Sequence, residues 1–536
     1  MLDSLYTGQT GLKASRYSID ITSNNIANET TEGYKKRTIQ TSEVDSLENN
    51  LGNGVSFDGV KRTTDFYLYD QILTQNSISG YYDQQNSTLS NAEMLFQETT
   101  DSGFSVSLNN FFSSIESFRG DPTSTIYQKD IEANSQMIVT KMQSINSDLE
   151  ELQDNNFSLL EDQVDEVNSM LEQITYINKK IQQNGETNDL LDKRDLLEKE
   201  LSNYADININ TDYDNYKLEM AGETVIYNNT NLSKLSVNEE YIQQKDIYTS
   251  TDLNDSSINT GDTINITLNN DVTLNISADI TGASEYDVKQ QIVDEINSSS
   301  DFNSVEAYLD TTNNLVIKSI VGGEDEAFDI KIDINDNEPI EKSDVSVEAA
   351  DHISVYAYNE KLNFASGSLK SLTEGLTTET SEISSYQKSL DDFAKALVES
   401  FAEKSGDTTM FKGASVETFE FIEGSTSELS ANDVESIAQI QWDENINIDS
   451  NSDETTSFQD FYEDLLVSVS SNVEDNSFKQ EAQSAVLNSL ETTFDNLTKV
   501  DTDEEMVNLL KYQAAYNASA KVITTVDEML ETLLNM

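Results

Sequence analysis

The two ends of the chain carry apolar residues at heptad spacing, and this pairing constrains the fold more than any other sequence feature. The N-terminal stripe combines large and small positions: Leu5, Leu12, Ile19 and Ile26 with Gly8, Ser15 and Thr22. The C-terminal stripe occupies Leu509, Tyr516, Ile523 and Leu530 with Tyr512, Ser519, Val526 and Leu533. Such spacing predicts helices with an apolar seam. Because free ends usually fray, seams at both ends indicate helices that pack against each other.

Charge separates these ends from the rest of the chain. The formal net charge is −67, yet residues 1–40 hold five basic and four acidic side chains, and residues 507–536 hold two and three. The excess negative charge therefore lies entirely in residues 41–506. A chain this acidic is not expected to bind nucleic acid or an anionic membrane. A closed intramolecular helix pair would explain the two seams but not why the ends are neutral and the body acidic. Neutral ends are free to pack closely against copies of themselves, although compositional drift would also make the body acidic.

Between the ends, helical and strand patterns alternate. Heptads of Ile and Leu predict one helical region over 123–184, with a phase slip near Asn155–Phe157 that indicates altered winding or a break. Further helical patterns cover 188–203, 367–403, 455–472 and 477–498. Alternating runs predict strands between 206 and 364, including 263–268, 272–276, 315–320 and 328–334, around a helix near 285–298. A smaller β-like patch covers 408–442.

These patterns predict an elongated, multidomain α+β protein in which β-rich domains are inserted into a helical bundle. The expected domains are a terminal coiled coil of 1–62 plus 501–536, a helical bundle of 63–205, 365–405 and 455–500, a β-rich domain of 206–245, 346–364 and 406–454, and a variable β-rich insert of 246–345. Only two Pro and 20 Gly residues occur, which argues against a long flexible hinge.

The sequence offers little material for catalysis or metal binding. It has no Cys and one His, His352, and no G-x-S-x-G motif accompanies that histidine. The string Asp333–Asn337 matches the first ligand positions of an EF-hand loop, but Glu338 replaces the required Gly and Asp344 the final Glu. We therefore expect a protein that is not an enzyme, with no catalytic residues, no metal site and no cofactor.

Three strings resemble a known family. Ser23–Asn28 reads SNNIAN and precedes Gly33-Tyr34 and Lys35-Lys36-Arg37, which resembles the N-terminal signature of the flagellar rod, hook and hook-associated proteins. The segment Asn508–Met536 resembles the terminal helix of the same proteins. Within the chain, Leu190, Leu191, Asp192, Arg194 and Asp195 resemble the central signature of the hook-associated protein 1 family. The resemblance covers about 1–235 and 355–536 and is weakest in 240–350.

This resemblance implies concentric layers, with a terminal coiled coil innermost and β-rich domains outermost. It implies a structural junction between flagellar hook and filament, outside the cell, after export through the flagellar channel without a cleaved signal. The implied partners are copies of the chain in a homo-oligomeric ring, the hook protein, hook-associated protein 3, and an export chaperone that binds the C-terminal region before secretion. Nucleic acid and membrane are not expected partners.

On this interpretation the two ends form the assembly interface. The expected contact residues are Leu5, Leu12, Ile19, Ile26, Asn24, Asn25 and Asn28 at one end, and Leu509, Tyr512, Tyr516, Ile523, Val526, Leu530 and Leu533 at the other. Two alternatives remain. Another axial protein, of the hook or the distal rod, would share both terminal signatures. An acidic secreted adhesin or surface-layer protein would explain the charge but not the paired seams.

Overall fold

The computed structural model describes residues 2–44, 53–98, 102–211, 215–243, 263–268, 272–277, 292–293, 296, 305–309, 315–319, 328–334, 340–345, 349–358, 360–378, 380–405, 408–448 and 455–535. The chain divides into two compact units. The first, here the helical unit, comprises residues 1–236, 356–372 and 390–536, and the second comprises 237–355 and 373–389.

Helices account for most of the helical unit. In chain order they are α1 (Leu2–Ala27), α2 (Phe66–Leu95), α3 (Phe104–Gly120), α4 (Thr125–Asn184), α5 (Asn188–Tyr204), α6 (Ser368–Leu376), α7 (Glu382–Lys404), α8 (Ala431–Ala438), α9 (Phe458–Thr498) and α10 (Thr502–Leu534). Side chains fix several of their starts. Asp65 accepts hydrogen bonds from the backbone amides of Tyr67 and Leu68, and Asp501 does the same at the start of α10.

Helix α4 confirms the predicted long helix and excludes the break that was one of the two interpretations of its phase slip. It runs without interruption for 60 residues, from the cap at Ser124 to Gly185, whose φ of +83° ends it. At the phase slip, the buried line passes from Leu149 through Asn156 to Leu160, while Leu159 is exposed. The slip therefore moves the apolar line around the helix without breaking its hydrogen bonds.

Three other helix and strand predictions need correction. The patterns at 455–472 and 477–498 belong to one helix, α9, because no helix-breaking residue separates them. The pattern at 367–403 forms two helices, α6 and α7, joined by a turn in which the amides of Thr380 and Ser381 bond to the Thr377 carbonyl. Within 408–442, a capping box of Ser430 and Asp433 starts helix α8 where strands were expected.

The strands of the helical unit form small antiparallel sheets. A hairpin pairs β1 (Arg37–Glu43) with β2 (Val55–Arg62), placing Arg37 opposite Arg62. After α5, β3 (Ile207–Asn210), β4 (Lys217–Met220), β5 (Glu223–Tyr227) and β6 (Asn231–Leu232) form a sheet in sequence order. Strand β7 (Leu235–Gln243) begins in this unit and ends in the second.

Strands dominate the described part of the second unit, as the sequence predicted for 263–268, 272–276, 315–320 and 328–334. They are β8 (Thr263–Leu268), β9 (Val272–Ser277), β10 (Val305–Leu309), β11 (Leu315–Ser319), β12 (Phe328–Ile334), β13 (Ile340–Val345) and most of β14 (Ala349–Ala357), whereas β15 (Glu360–Lys361) belongs to the helical unit. One sheet has the order β13-β12-β8-β9, β10 pairs with β11, and β14 lies between β15 and β7. The helix expected near 285–298 lies mostly outside the described residues.

An aromatic core holds the helical unit together. It joins α3, α7, α9 and the short hairpin of β16 (Phe411–Lys412) and β17 (Glu420–Phe421). Phe111 is fully buried, and its ring centroid lies 5.6 Å from that of Phe401 and 5.8 Å from that of Phe411. Phe393 lies 5.5 Å from Phe104 in the same way. Each buried ring stabilises the fold by roughly 1.5–3 kcal/mol. The predicted α+β class is confirmed.

Candidate assembly surface and ionic cluster

The two ends of the chain pack against each other as helices α1 and α10. The small residues of α1 make the contact: Gly8, Ser15, Ser18, Thr22 and Asn25 are buried. A Cβ added at Gly8 would lie 3.0 Å from Ile523 Cγ1, and one at Gly11 would lie 3.1 Å from Ser519 Oγ. The lack of side chains at these positions therefore lets the helices approach closely.

The predicted seam residues flank this contact. On α1, Leu5, Leu12, Ile19 and Ile26 are half-buried, and on α10, Leu509, Tyr512, Tyr516, Ile523 and Leu530 are half-buried, Val526 is buried and Leu533 is exposed. The heptads thus predicted the pairing of the ends correctly. Their large residues on α1 line the sides of the contact, because the small position faces α10.

A second apolar row lies on the side of α10 away from α1, and the heptad positions do not include it. Met506, Leu510, Ala514 and Ala518 recur every fourth residue, and all four are exposed. We call this row the outer stripe. For example, Leu510 is 63% exposed to solvent. Single exposed apolar residues are ordinary, but a continuous row on one helix face is typical of a contact surface. The sequence signal for the outer stripe is its four-residue spacing, which the heptad positions of the two seams do not include.

Asn25 of the SNNIAN string joins both ends of the chain. Its side-chain amide donates hydrogen bonds to the Arg37 carbonyl oxygen and to Glu505 Oε2, both at 2.9 Å. Its Oδ1 accepts from the Arg37 backbone amide at 3.1 Å and from the Tyr34 hydroxyl at 2.9 Å. This position needs a donor and an acceptor in one short side chain, which asparagine supplies.

The other asparagines of the string have local roles. Asn28 is half-buried and Asn24 is exposed. The Asn28 amide donates to the Asn24 carbonyl oxygen at 2.9 Å and to Asn24 Oδ1 at 2.8 Å, and this closes the end of α1. Gly33, at φ +73°, then turns the chain toward β1.

Behind the terminal pair, three cations and three carboxylates form a cluster, here called the ionic cluster: Lys35, Arg37 and Arg62 with Asp189, Asp192 and Asp195. Arg62 Nη1 lies 2.6 Å from Asp195 Oδ2 and 3.3 Å from Asp192 Oδ1. Lys35 also pairs with Asp195. Arg37 pairs with Asp189 and lies 3.5 Å from Asp192.

Burial makes these ion pairs strong determinants of geometry. Lys35, Arg62, Asp192 and Asp195 are all buried. Burial raises the pKa of the Asp192 carboxyl, although Arg62, Lys35 and Arg37 act in the opposite direction. Burial also acts to lower the pKa of Arg62, but the neighbouring Asp195 and Asp192 carboxylates together outweigh it and raise that pKa. A buried charge that loses its partner is costly, so each member constrains the positions of the others.

The signature string of α5 is split between this cluster and a second buried site. Arg194 points to the second site, where its guanidinium lies 4.5 Å from the Tyr216 ring and donates to Asn178 at 2.9 Å. Glu198 accepts from the Tyr216 hydroxyl at 2.9 Å, and burial raises its pKa, with Asp195 adding to the rise. Leu190 and Leu191 are half-buried beside them. Sequence reasoning missed Arg62, Glu198 and Glu505, whose partners are remote in the chain.

No cation site emerges from the part of the chain that the structure describes. No group of three or more His, Asp or Glu side chains there could hold a metal ion. The loop that begins after Ile334 and the side chain of His352 lie outside the described residues. Among the helices whose residues are described, none is both long and apolar enough to cross a membrane.

Family comparisons match three parts of the chain. Residues 89–269 match the model described as the flagellar hook-associated protein FlgK helical domain. Residues 481–536 match the flagellar basal body rod FlgEFG protein C-terminal model, and residues 5–35 match the flagella basal body rod protein model. The first match includes α4 and the signature string, and the other two include the helices of the terminal pair.

Individual relatives agree with these matches. Flagellar hook-associated protein 1 of Bacillus subtilis is 30% identical over 219 residues, which cover 38% of this chain and 43% of the relative. The Salmonella typhimurium protein of the same name is 27% identical over 236 residues, covering 41% and 42%. The chain thus spans less than half the length of these relatives. The flagellar hook junction protein FlgK from Burkholderia pseudomallei has a solved structure with a TM-score of 0.36 and 12% identity, covering 63% of this chain and 43% of that one.

Proposed function

Because the chain belongs to the family of flagellar hook-associated protein 1, we propose that it is a self-assembling structural component of the flagellar axis at the junction between hook and filament. Its role is mechanical and not enzymatic. One observation carries the proposal: the two neutral ends pair with each other and still present an apolar outer stripe on α10. A monomer leaves that stripe in water, whereas a ring of copies covers it.

The proposed partners follow from this position in the axis. Copies of the chain form a homo-oligomeric ring, with the hook protein on one side and hook-associated protein 3 on the other. Before secretion, an export chaperone covers the C-terminal region, where the seam and the outer stripe would otherwise be exposed together. The chain leaves the cell through the flagellar export apparatus and functions in the extracellular flagellum.

The nearest alternative is another axial protein, of the hook or the distal rod. The 60-residue helix α4 and the signature string of α5 favour the junction protein. Electron microscopy of a deletion strain separates the two functions. If the chain is the junction protein, the deletion strain should have hooks without filaments and should release filament subunits into the medium. Absence of hooks would instead indicate a hook or rod component.

Charges placed on the outer stripe are expected to block assembly without unfolding the chain. In the double variant Leu510→Glu and Ala518→Glu, two exposed apolar side chains become carboxylates that a subunit interface would have to bury unpaired. We expect a normal circular dichroism spectrum and complete loss of filament attachment to hooks, scored by electron microscopy of the complemented deletion strain.

The matched control adds the same charge to exposed residues of α10 outside the stripe, Gln513→Glu with Thr524→Glu. This variant is expected to attach filaments normally. Normal attachment by the Leu510 and Ala518 double variant would show that the stripe is not a subunit contact.

A further inference from the structure

The basic triplet Lys35-Lys36-Arg37 contacts two different helices. It lies in extended backbone between α1 and β1, where successive side chains point to opposite sides. Lys35 and Arg37 therefore share one side, and both pair with carboxylates of α5. Lys36 points to the other side, where Nζ lies 2.8 Å from Glu504 Oε2 and 3.4 Å from Glu505 Oε1.

The contact with α10 is built into its first turn. Asp501 caps that turn, and Glu504 and Glu505 place negative charge where the helix dipole favours it. Glu505 is buried and accepts from Asn25 as well as facing Lys36. The backbone of the triplet is held separately by α9, because the Lys36 amide donates to the carbonyl oxygen of Thr498, the last residue of that helix, at 2.7 Å.

The contact with α5 depends on the same backbone. Asn25 holds residue Arg37 at both its amide and its carbonyl oxygen, and Asn25 is itself held by Glu505 of α10. From this position Arg37 reaches Asp189 and Asp192. If α10 leaves, Asn25 and Lys36 lose a buried partner, and the segment that presents Lys35 and Arg37 to α5 keeps only its backbone bonds to Thr498 and Thr63.

We propose that the triplet couples two contacts through the ion pairs on its two sides. Docking of α10 on α1 and seating of residues 34–37 on α5 then occur as a single cooperative event. Each event supplies the fixed backbone that the other needs. By linkage, the factor by which seating on α5 strengthens α10 docking equals the factor by which α10 docking strengthens seating on α5. This coupling belongs to the single chain and holds whether or not the chain forms the hook–filament junction.

A single engineered thiol measures α10 docking directly, because the chain has no cysteine. Ser519→Cys places the thiol against Gly11 of α1, so a thiol reagent reaches it readily only when α10 undocks. In this background, Asp192→Asn on α5 is expected to raise the labelling rate on the order of tenfold, although Asp192 contacts no residue of α10. Lys36→Met should raise the labelling rate by a similar factor. In the double variant Asp192→Asn and Lys36→Met, the rate increase should be larger than either single increase but smaller than their product.

Two controls separate coupling from general damage. Lys61→Met removes an exposed lysine of β2 and should leave the labelling rate within about twofold of the parent. Hydrogen exchange at α4, near Ile138 and Met142, should stay slow in every variant, which shows that the bundle is folded. If the α4 amides exchange faster in Asp192→Asn, Arg37→Met replaces that variant. It removes the partner cation of Asp192 and is expected to give the same increase in labelling rate.

Reciprocity provides the second measurement. Glu505→Gln on α10 is expected to speed hydrogen exchange of the α5 amides from Asp192 to Glu198 on the order of tenfold. Independent behaviour would overturn the proposal. That result would be faster α5 exchange in Asp192→Asn with unchanged labelling at position 519, or faster labelling in Lys36→Met with unchanged α5 exchange.

Discussion

Substitution of Asp195 by asparagine is expected to lower the free energy of unfolding of the helical unit by about 3–5 kcal/mol. Asp195 pairs with both Lys35 and Arg62, and all three side chains are buried. Asparagine has nearly the same shape, so the effect comes from the lost charge and leaves two cations in a low-dielectric site with one carboxylate fewer. Chemical denaturation followed by circular dichroism measures the change.

Asp189 provides the matched control for this prediction. It lies on the same helix and pairs with Arg37, but its side chain is 70% exposed. Asp189→Asn should therefore change the free energy of unfolding by no more than about 1 kcal/mol, as for other solvent-exposed ion pairs. Equal effects of the two substitutions would mean that burial of the ionic cluster does not contribute to its stability.

Deletion of Asn508–Met536 is expected to abolish assembly while leaving a soluble, folded body. The deletion removes most of α10, so it removes most of the surface that covers the small residues of α1 and all of the outer stripe except Met506. The aromatic core around Phe111 and Phe393 lies in other elements and should keep the bundle folded. Loss of helical signal should correspond to α1 and α10 alone, and no filaments should attach to hooks in the deletion strain.

The control for this truncation removes only Asn535 and Met536, which follow the end of α10. It should assemble normally. Unimpaired assembly by the longer truncation would remove the basis for treating the termini as the polymer contact. Loss of the folded body would show that α10 docking supports the whole helical unit and not only its surface.

Heptad spacing was sufficient to predict that the ends pair, because a seam on each helix leaves few other places for either to pack. It could not show that Gly8 and Gly11 carry the contact, since heptads identify a face and not the distance between helices. In α4 the phase slip was compatible with altered winding or with a break, and buried Asn156 lies between the two registers inside one continuous helix. Local spacing alone does not distinguish a break from a shift.

For the ionic cluster, the sequence indicated the residues but not their partners in the fold. The signature string was recognised by resemblance, yet nothing in its own residues indicated that Asp192 and Asp195 would meet Arg62, about 130 positions earlier in the chain. One signal was available. The chain has only five arginines, Arg16, Arg37, Arg62, Arg119 and Arg194, among 99 acidic residues. Because arginine is so rare in this chain, the arginines could have been recognised as candidates for buried ion pairs with carboxylates.

The central claim is that the two ends of one chain pack against each other, and an engineered disulfide tests it most directly. A Cβ at Gly11 would lie 3.9 Å from the Ser519 Cβ, within the range of about 3.5–4.5 Å found in disulfides. With no native cysteine, the double variant Gly11→Cys and Ser519→Cys contains only this pair. Mild oxidation of the dilute protein should close an intramolecular disulfide, seen as complete loss of free thiol in a product of monomer mass. Retention of both thiols, or cross-linking only into dimers, would contradict the account.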